Sequence, residues 1–281
     1  MPGFDTSKAY VPQDDVSFDD GRELELLRAI YTDPSLPEMR GHPEKVLEAI
    51  DRYGRSKHFL MNVGAAKGRI VTDLIAEVKP QVMVELGGYC AYSAILFGDA
   101  VRAAGGRQYW SLERDPVFAA IVMSLTDLAG LRDIVQVVVG ASGDSLKRLH
   151  HEGRLHHIDL LFLDHYKPAY TSDLKLCEYL RLVAPGSVLA ADNVIKPGNP
   201  PYLEYVRGTV QQKRAAFEQG GTSNAIDEQF SAGTRDKYKA RVGEETLSSE
   251  IQGNPNFRYD SKLVGSFEPT GVPNAASPPM L

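Results

Sequence analysis

The chain has 281 residues, 43% hydrophobic and 24% charged, an ordinary composition for a globular protein with a sizeable core. Its 31 basic and 37 acidic side chains give a net charge of −6, which argues against nucleic-acid or anionic-membrane partners, since both select basic patches. No apolar run reaches the roughly 18 residues of a membrane span, the N-terminus lacks a basic-then-apolar signal pattern, and Cys90 and Cys177 form no C-x-x-C motif; a cytoplasmic protein with free thiols is expected.

Residues 1–20 are polar and Pro/Asp-rich and read as a flexible arm. From Gly21, Leu24, Leu26, Leu27 and Ile30 recur at helical spacing until Pro34 and Pro37. A second helix starts at His42-Pro43, with Val46, Leu47 and Ile50 on one face, and a third covers about 64–78. Strand and helix then alternate. VMVEL (82–86), QYWSLE (108–113), IVQVVVG (134–140), IDLLFL (158–163) and SVLAA (187–191) read as strands, with helices over 92–104, 116–129 and 173–182 between them. Repeated β-then-α units predict an α/β fold, a single-domain doubly wound parallel sheet over 21–208. Residues 209–254 read as an inserted surface segment, 255–270 as the C-terminal strand region with its strand at 256–263, and 271–281 as a tail. The stretch VPNAASPPML has two prolines in series and no strand pattern, so six recognisable strands are expected.

Two strands end in chemistry. IDLLFL runs into Asp164-His165-Tyr166-Lys167, and SVLAA into Asp192-Asn193. Ligands of open α/β sheets bind at the carboxyl ends of strands. Two carboxylates and a carboxamide at one rim are hard oxygen donors that suit Mg²⁺ better than Zn²⁺. Taken singly, Asp164 also reads as a helix cap, Lys167 as a solvated lysine and Asp192-Asn193 as a turn; their joint occurrence at two strand ends favours the functional reading. HHEGRLHH (150–157) has no cysteine partner and reads as a polar helix end and loop, not as a zinc site.

The first strand ends in Glu85-Leu86-Gly87-Gly88, a glycine turn that lets backbone approach a ligand closely but is not G-x-G-x-x-G. Glu113 ends the second strand, where an acid can accept both hydroxyls of a ribose. Together they favour a nucleoside cofactor, and an acid before the first glycine is usual in S-adenosylmethionine (SAM) enzymes.

In order and spacing, VLEAID (46–51), MNVGAAKG (61–68), VELGGYCAYSA (84–94), VVGASGD (138–144), LFLDHYK (161–167) and LAADNVIKPGNPPYLEYVRG (189–208) strongly resemble the Mg²⁺-dependent catechol O-methyltransferases, and most closely their fungal-type members with a C-terminal insertion. The resemblance implies a Rossmann-like SAM-dependent methyltransferase that methylates one hydroxyl of a small catechol, with SAM and Mg²⁺ as cofactors; beside it, the charge balance predicts no nucleic-acid or membrane partner, and a monomer is the default expectation. By position, Met61, Val63, Glu85, Gly87, Tyr89, Ser93, Glu113, Ser142, Asp164 and His165 match family residues around SAM. Asp164, Asp192 and Asn193 match its magnesium ligands, and Lys167 its general base. Phe59, Tyr166 and Pro197 fall where the family grips the catechol ring, Lys167 and Asn193 face the substrate too, and Glu268 matches a second acid that bonds the other hydroxyl. Ala91 stands where the family has glycine, Gly143 where it has glutamine, and Phe59 and Tyr166 where it has tryptophans. A cation-dependent O-methyltransferase for another vicinal-diol metabolite, or a SAM-binding protein without turnover, remain open beside this reading.

Overall fold

Short apolar runs that hide both faces need cover on both sides; those over 82–86, 108–113 and 160–163 obtain it, and those over 135–139 and 188–191 stay partly exposed at the sheet edges. The computed structural model describes residues 3–13, 15, 18–219, 230 and 251–274. Strands β1 (Val82–Leu86), β2 (Gln108–Glu113), β3 (Val135–Val139), β4 (Leu160–Leu163) and β5 (Val188–Ala191) form one sheet in the order β3-β2-β1-β4-β5, every pair parallel. Helices α1 (Arg22–Tyr31), α2 (Leu36–Met39), α3 (Pro43–Ser56) and α4 (Gly64–Val78) precede the sheet. Helices α5 (Tyr92–Ala103), α6 (Pro116–Leu128), α7 (Ser142–His151) and α8 (Ala169–Tyr179) connect its strands, and α9 (Pro200–Arg207) and α10 (Val210–Glu218) follow it.

Strand alternation sorts the core into two layers. Met83, Tyr109, Leu160 and Phe162 pack with α1 and α3–α6, whereas Val84, Trp110, Leu161 and Leu163 pack with α7–α9. Local signals set the helix starts. Pro116 occupies the first turn of α6, and Asp115 caps it by accepting from the amides of Val117 and Phe118.

The chain builds β1, β2 and β3 in one direction, then returns across β1 to lay β4 and β5 on its other side. The carboxyl ends of β1 and β4 therefore form the switch point where doubly wound sheets bind ligands. Their turns meet at Gly87, which has φ +94°. A Cβ at this position would lie 2.6 Å from the carbonyl oxygen of Asp164, so both the conformation and the space demand glycine.

Several expectations need correction. No strand forms over 256–263, and the sheet has five strands among the described residues, not six. Phe257 and Tyr259 mimic strand alternation, but side chains hold this segment. Glu178 of α8 accepts from the hydroxyls of Tyr259 (2.5 Å) and Tyr205 (2.6 Å) and from the amide of Asn254 (2.6 Å). A single antiparallel bridge, Phe267 to Pro273, shapes a strap over 266–274. Helix α8 begins at Ala169, earlier than expected, and α7, of which only the polar end near 150 was read, starts at Ser142. The arm read as flexible includes Tyr10, which is 5% exposed and bonded to α3. Of the inserted segment, α10 and 251–254 are described; residues 220–229 and 231–250, and 275–281 of the tail, lie outside the described residues.

Gly87→Ala should force the β1 and β4 turns apart. A loss of at least about 2 kcal/mol is expected in urea unfolding, from backbone strain and overpacking together; a variant as stable as the parent would contradict the close approach.

Candidate active site

The carboxyl ends of β1, β2, β4 and β5 open into one cavity of about 1460 Å³. Every site residue singled out in the sequence lines it except Glu85. Phe59, Met61 and Val63 come from the segment leading into α4, Gly87, Tyr89 and Ser93 from the β1 turn and α5, Ser142 from α7, and Tyr166 and Pro197 from the loops after β4 and β5. The strap contributes Glu268, Thr270 and Val272 as a cover.

The polar centre is a cluster of three carboxylates and two ammonium groups. Asp164 follows β4, and Lys167 one turn on donates to it at 3.0 Å and to the Tyr170 hydroxyl at 2.6 Å. Asp192 follows β5, with its carboxylate held by the Asn193 amide (2.7 Å) and by Lys67 Nζ (2.5 Å). Lys67 also donates to Glu268 at 2.9 Å, and Glu268 accepts from Asn193 Nδ2 at 3.2 Å. Loops from two strands, helix α4 and the strap thus converge through ion pairs. Burial opposes the charge on Lys67, but Asp192, Glu268 and Asp164 outweigh it and hold the ammonium above the ordinary lysine value. Burial pushes Asp164 above the usual carboxylate range, although Lys167 works against this. Counted formally, the cluster has one carboxylate more than it has ammonium groups.

That surplus and the donor chemistry suit a hard cation. The hydrogens of the Asn193 amide go to Lys196 and Glu268, which leaves its carbonyl oxygen as the group able to turn toward a metal. Among the described residues no three His, Cys, Asp or Glu side chains have the arrangement of a metal site, the three carboxylates being bridged by lysines; Asp164, Asp192 and that carboxamide are the oxygen donors a cation here would use.

At the other end, Glu113 is fixed by three backbone amides, those of Gly88 and Tyr89 on one oxygen and Asp115 on the other, each at 2.9 Å. Asp173 of α8 accepts from Ser142 Oγ and pairs with His165 Nε2 at 2.9 Å, and the His165 ring stacks on Tyr170 with centroids 4.8 Å apart. The Asp173 carboxylate lies where a Cβ at Gly143 would come within 3.1 Å of it, so the missing glutamine leaves room for this network.

Glu85 is the residue the structure keeps out of the cavity. Its position in β1 has the parity of Met83, which turns it toward α5, beside Ser111 and Tyr109 of β2. It is fully buried; Ser111 donates to Oε1 at 2.5 Å and Oε2 has no hydrogen-bond partner. Burial raises its pKa to about 7.

Lys67 and Asp173 were missed in the sequence, and both had a signal. Lys67, Val71 and Ile75 share the buried stripe of α4, and Tyr170, Asp173, Leu174 and Cys177 that of α8. A charge on an otherwise apolar stripe is a buried charge and needs a partner.

The sequence family described as a methyltransferase domain matches residues 84–194. Catechol O-methyltransferase of Mus musculus is 43% identical over 169 residues, which are 60% of this chain and 63% of the mouse protein. Catechol O-methyltransferase B of Danio rerio is 41% identical over 197 residues, 70% of this chain and 72% of the fish protein. The match thus spans somewhat less than two thirds of the mouse protein. Among solved structures, the O-methyltransferase from Streptomyces achromogenes involved in tomaymycin synthesis, in complex with SAM, aligns with a TM-score of 0.49 at 22% identity, over 63% of this chain and 79% of that one.

Two outcomes follow from the buried charges. The folded state binds a proton at Glu85 more tightly than the unfolded chain, so the fold should lose stability as pH rises from about 4.5 to about 7, by roughly 3 kcal/mol. Glu85→Gln should lack this slope, as urea unfolding of both proteins at pH 5 and pH 8 would reveal; parallel profiles would refute the assignment. Lys67→Met strips the cation from two carboxylates and should cost about 3 kcal/mol in the same assay, whereas a neutral substitution would mean that the pairs contribute little.

Proposed function

Because the chain belongs to the catechol O-methyltransferase family, we propose that it transfers the methyl group of S-adenosylmethionine to one hydroxyl of a catechol. The observation that carries this reading is the convergence of Asp164, Lys167, Asp192, Asn193 and Glu268 in one cavity at the switch point of the sheet. The cavity, about 1460 Å³, exceeds the roughly 300–1000 Å³ typical for one small ligand, which suits a donor and an acceptor side by side.

In this reading Asp164, Asp192 and the Asn193 carboxamide would hold Mg²⁺. When bound, the ion supplies a Lewis acid that lowers the pKa of a chelated hydroxyl and fixes a vicinal diol. SAM supplies a methyl group on a positively charged sulfur. Glu113, already immobilised by three amides, offers its remaining lone pairs to the ribose hydroxyls. Met61, Val63, Gly87, Tyr89, Ser93, Ser142, Asp164 and His165, the last paired with Asp173, line the cavity and would surround SAM.

Lys167 is the general base. Its ammonium first gives up one proton to solvent; the neutral amine then accepts the proton of the reacting hydroxyl while that oxygen forms the new bond to the methyl carbon, and the old carbon–sulfur bond breaks with its electron pair staying on sulfur. Tyr170 and Asp164 hold the Lys167 nitrogen in place. Glu268, anchored by Lys67 and Asn193, accepts a hydrogen bond from the other hydroxyl. Phe59, Tyr166 and Pro197 flank the ring. Alignment of nucleophile and methyl group can supply roughly 7–11 kcal/mol of the barrier reduction. A monophenol lacks the second oxygen and is excluded. Cys90 takes no part, since burial holds its thiol up near 12. Both cysteines are free and buried, in keeping with a reducing, cytoplasmic setting. No helix among the described residues is long and apolar enough to cross a membrane.

Methyl transfer from SAM to 3,4-dihydroxybenzoate should require Mg²⁺ and stop when EDTA removes it. Lys167→Met should lower kcat by about a hundredfold or more while SAM still binds by calorimetry. Turnover indifferent to EDTA, or to the loss of Lys167, would overturn the reading.

A further inference from the structure

The strap that carries Glu268 cannot hold itself in place. Its internal bonds are those of one short isolated hairpin: the Phe267–Pro273 bridge, Glu268 N to Val272 O and Gly271 N to Glu268 O at 2.8 Å each, Asn274 N to Ser266 O at 3.0 Å and Ser266 N to Asn274 Oδ1 at 2.7 Å, a unit that is at best marginal alone. Its position is also set from outside, by Lys67 and Asn193 at Glu268 and by the opposite end of the chain at Phe267 and Pro269.

Tyr10 fills a nook on α3 that exists because residue 54 is glycine; a Cβ there would lie 2.5 Å from the tyrosine ring. The Tyr10 hydroxyl donates to Asp51 of α3 at 2.5 Å and accepts from Asn62 Nδ2 at 3.2 Å. Beside it, the Val11 amide donates to the Gly54 carbonyl at 3.0 Å. So anchored, the arm reaches the strap. The Tyr10 amide donates to the Pro269 carbonyl at 2.9 Å, and Phe4 packs on Phe267 with centroids 5.6 Å apart. Those two strap residues flank Glu268. Direct contacts therefore run from Asp51 through Tyr10, Pro269, Glu268 and Lys67 to Asp192. The arm is also a wall of the cavity, through Tyr10, Pro12, Gln13 and Phe18.

We propose that the N-terminal arm is part of the active site, and that Tyr10 is the positioning residue that keeps Glu268 at the cavity by holding the strap to α3. The inference rests on Glu268 as the acid that bonds the second catechol hydroxyl. Tyr10 touches no reacting atom; it acts through Pro269. Losing its hydroxyl frees the arm, then the strap, and the diol is left less firmly oriented.

The test uses Tyr10→Phe, which keeps the ring in its nook and removes only the hydroxyl, with Tyr10→Ala as the stronger lesion. Hydrogen exchange at the Glu268 and Gly271 amides should speed up about tenfold in Tyr10→Phe, the size expected for one lost hydrogen bond to a carboxylate, while amides of β1 and β4 keep their rates. With 3,4-dihydroxybenzoate the KM should rise severalfold, and the ratio of the two monomethyl ethers should move in the direction that Glu268→Gln moves it. A purely structural tyrosine would lower the melting temperature and leave product ratio and strap exchange as they were; that result, or unchanged strap exchange in both variants, overturns the proposal. If the parent protein transfers no methyl group, the functional reading fails separately, and the exchange rates alone decide whether Tyr10 holds the strap.

Discussion

Everything at the site depends on how closely two turns approach. The β1 turn passes the β4 turn with the Gly87 backbone against the Asp164 carbonyl, at a separation that excludes a side chain. This contact sets the spacing between the glycine turn and the Asp164–Lys167 segment, both of which line the cavity. The parallel register of β1 with β4 brings Leu86 level with Leu163, so both turns begin at one height. A reaction between two bound molecules needs such a fixed separation, since misplacement by an ångström can cost a hundredfold in rate.

Charge shapes the rest. Asp164, Asp192 and Glu268 would repel one another if left alone, and Lys67 and Lys167 tie them into a network that no single element could build. Buried ion pairs seldom stabilise a fold better than packed apolar groups would. Their value here is geometric, because each ammonium fixes carboxylate oxygens at the cavity wall. Lys67 does so for two oxygens from segments far apart in the chain.

The sheet was legible because its strands are short apolar runs in a regular alternation with helices, and the cluster was legible where it follows those runs, at Asp164, Lys167, Asp192 and Asn193. Glu113 was legible for the same reason. Glu85 was misplaced because adjacency to the glycine turn outweighed strand parity, which sends its side chain under α5. The strand expected over 256–263 failed because Phe257 and Tyr259 alternate without a ladder to join; Glu178, an acid hidden on the apolar stripe of α8, takes the Tyr259 hydroxyl instead. Tyr10 gave no periodic signal at all. One aromatic in a polar arm looks the same whether it is pinned or loose, and its partners Asp51 and Pro269 become neighbours only in three dimensions.

The meeting of Tyr10 with Pro269 also fixes an order of events in time. Their contact spans nearly the whole described chain, the type of pairing that forms last, because the entropy of closing so long a loop is recovered only once the intervening layers are in place. A nascent chain that has completed β5 and α9 would own a finished sheet and most of its core, lacking the cover of Ile251, Phe257 and Tyr259, with its cavity still open along one side. Competence to orient a diol would then arrive as a separate, final step of folding, and a chain arrested just before it would look native by helix and strand content while lacking its second acid.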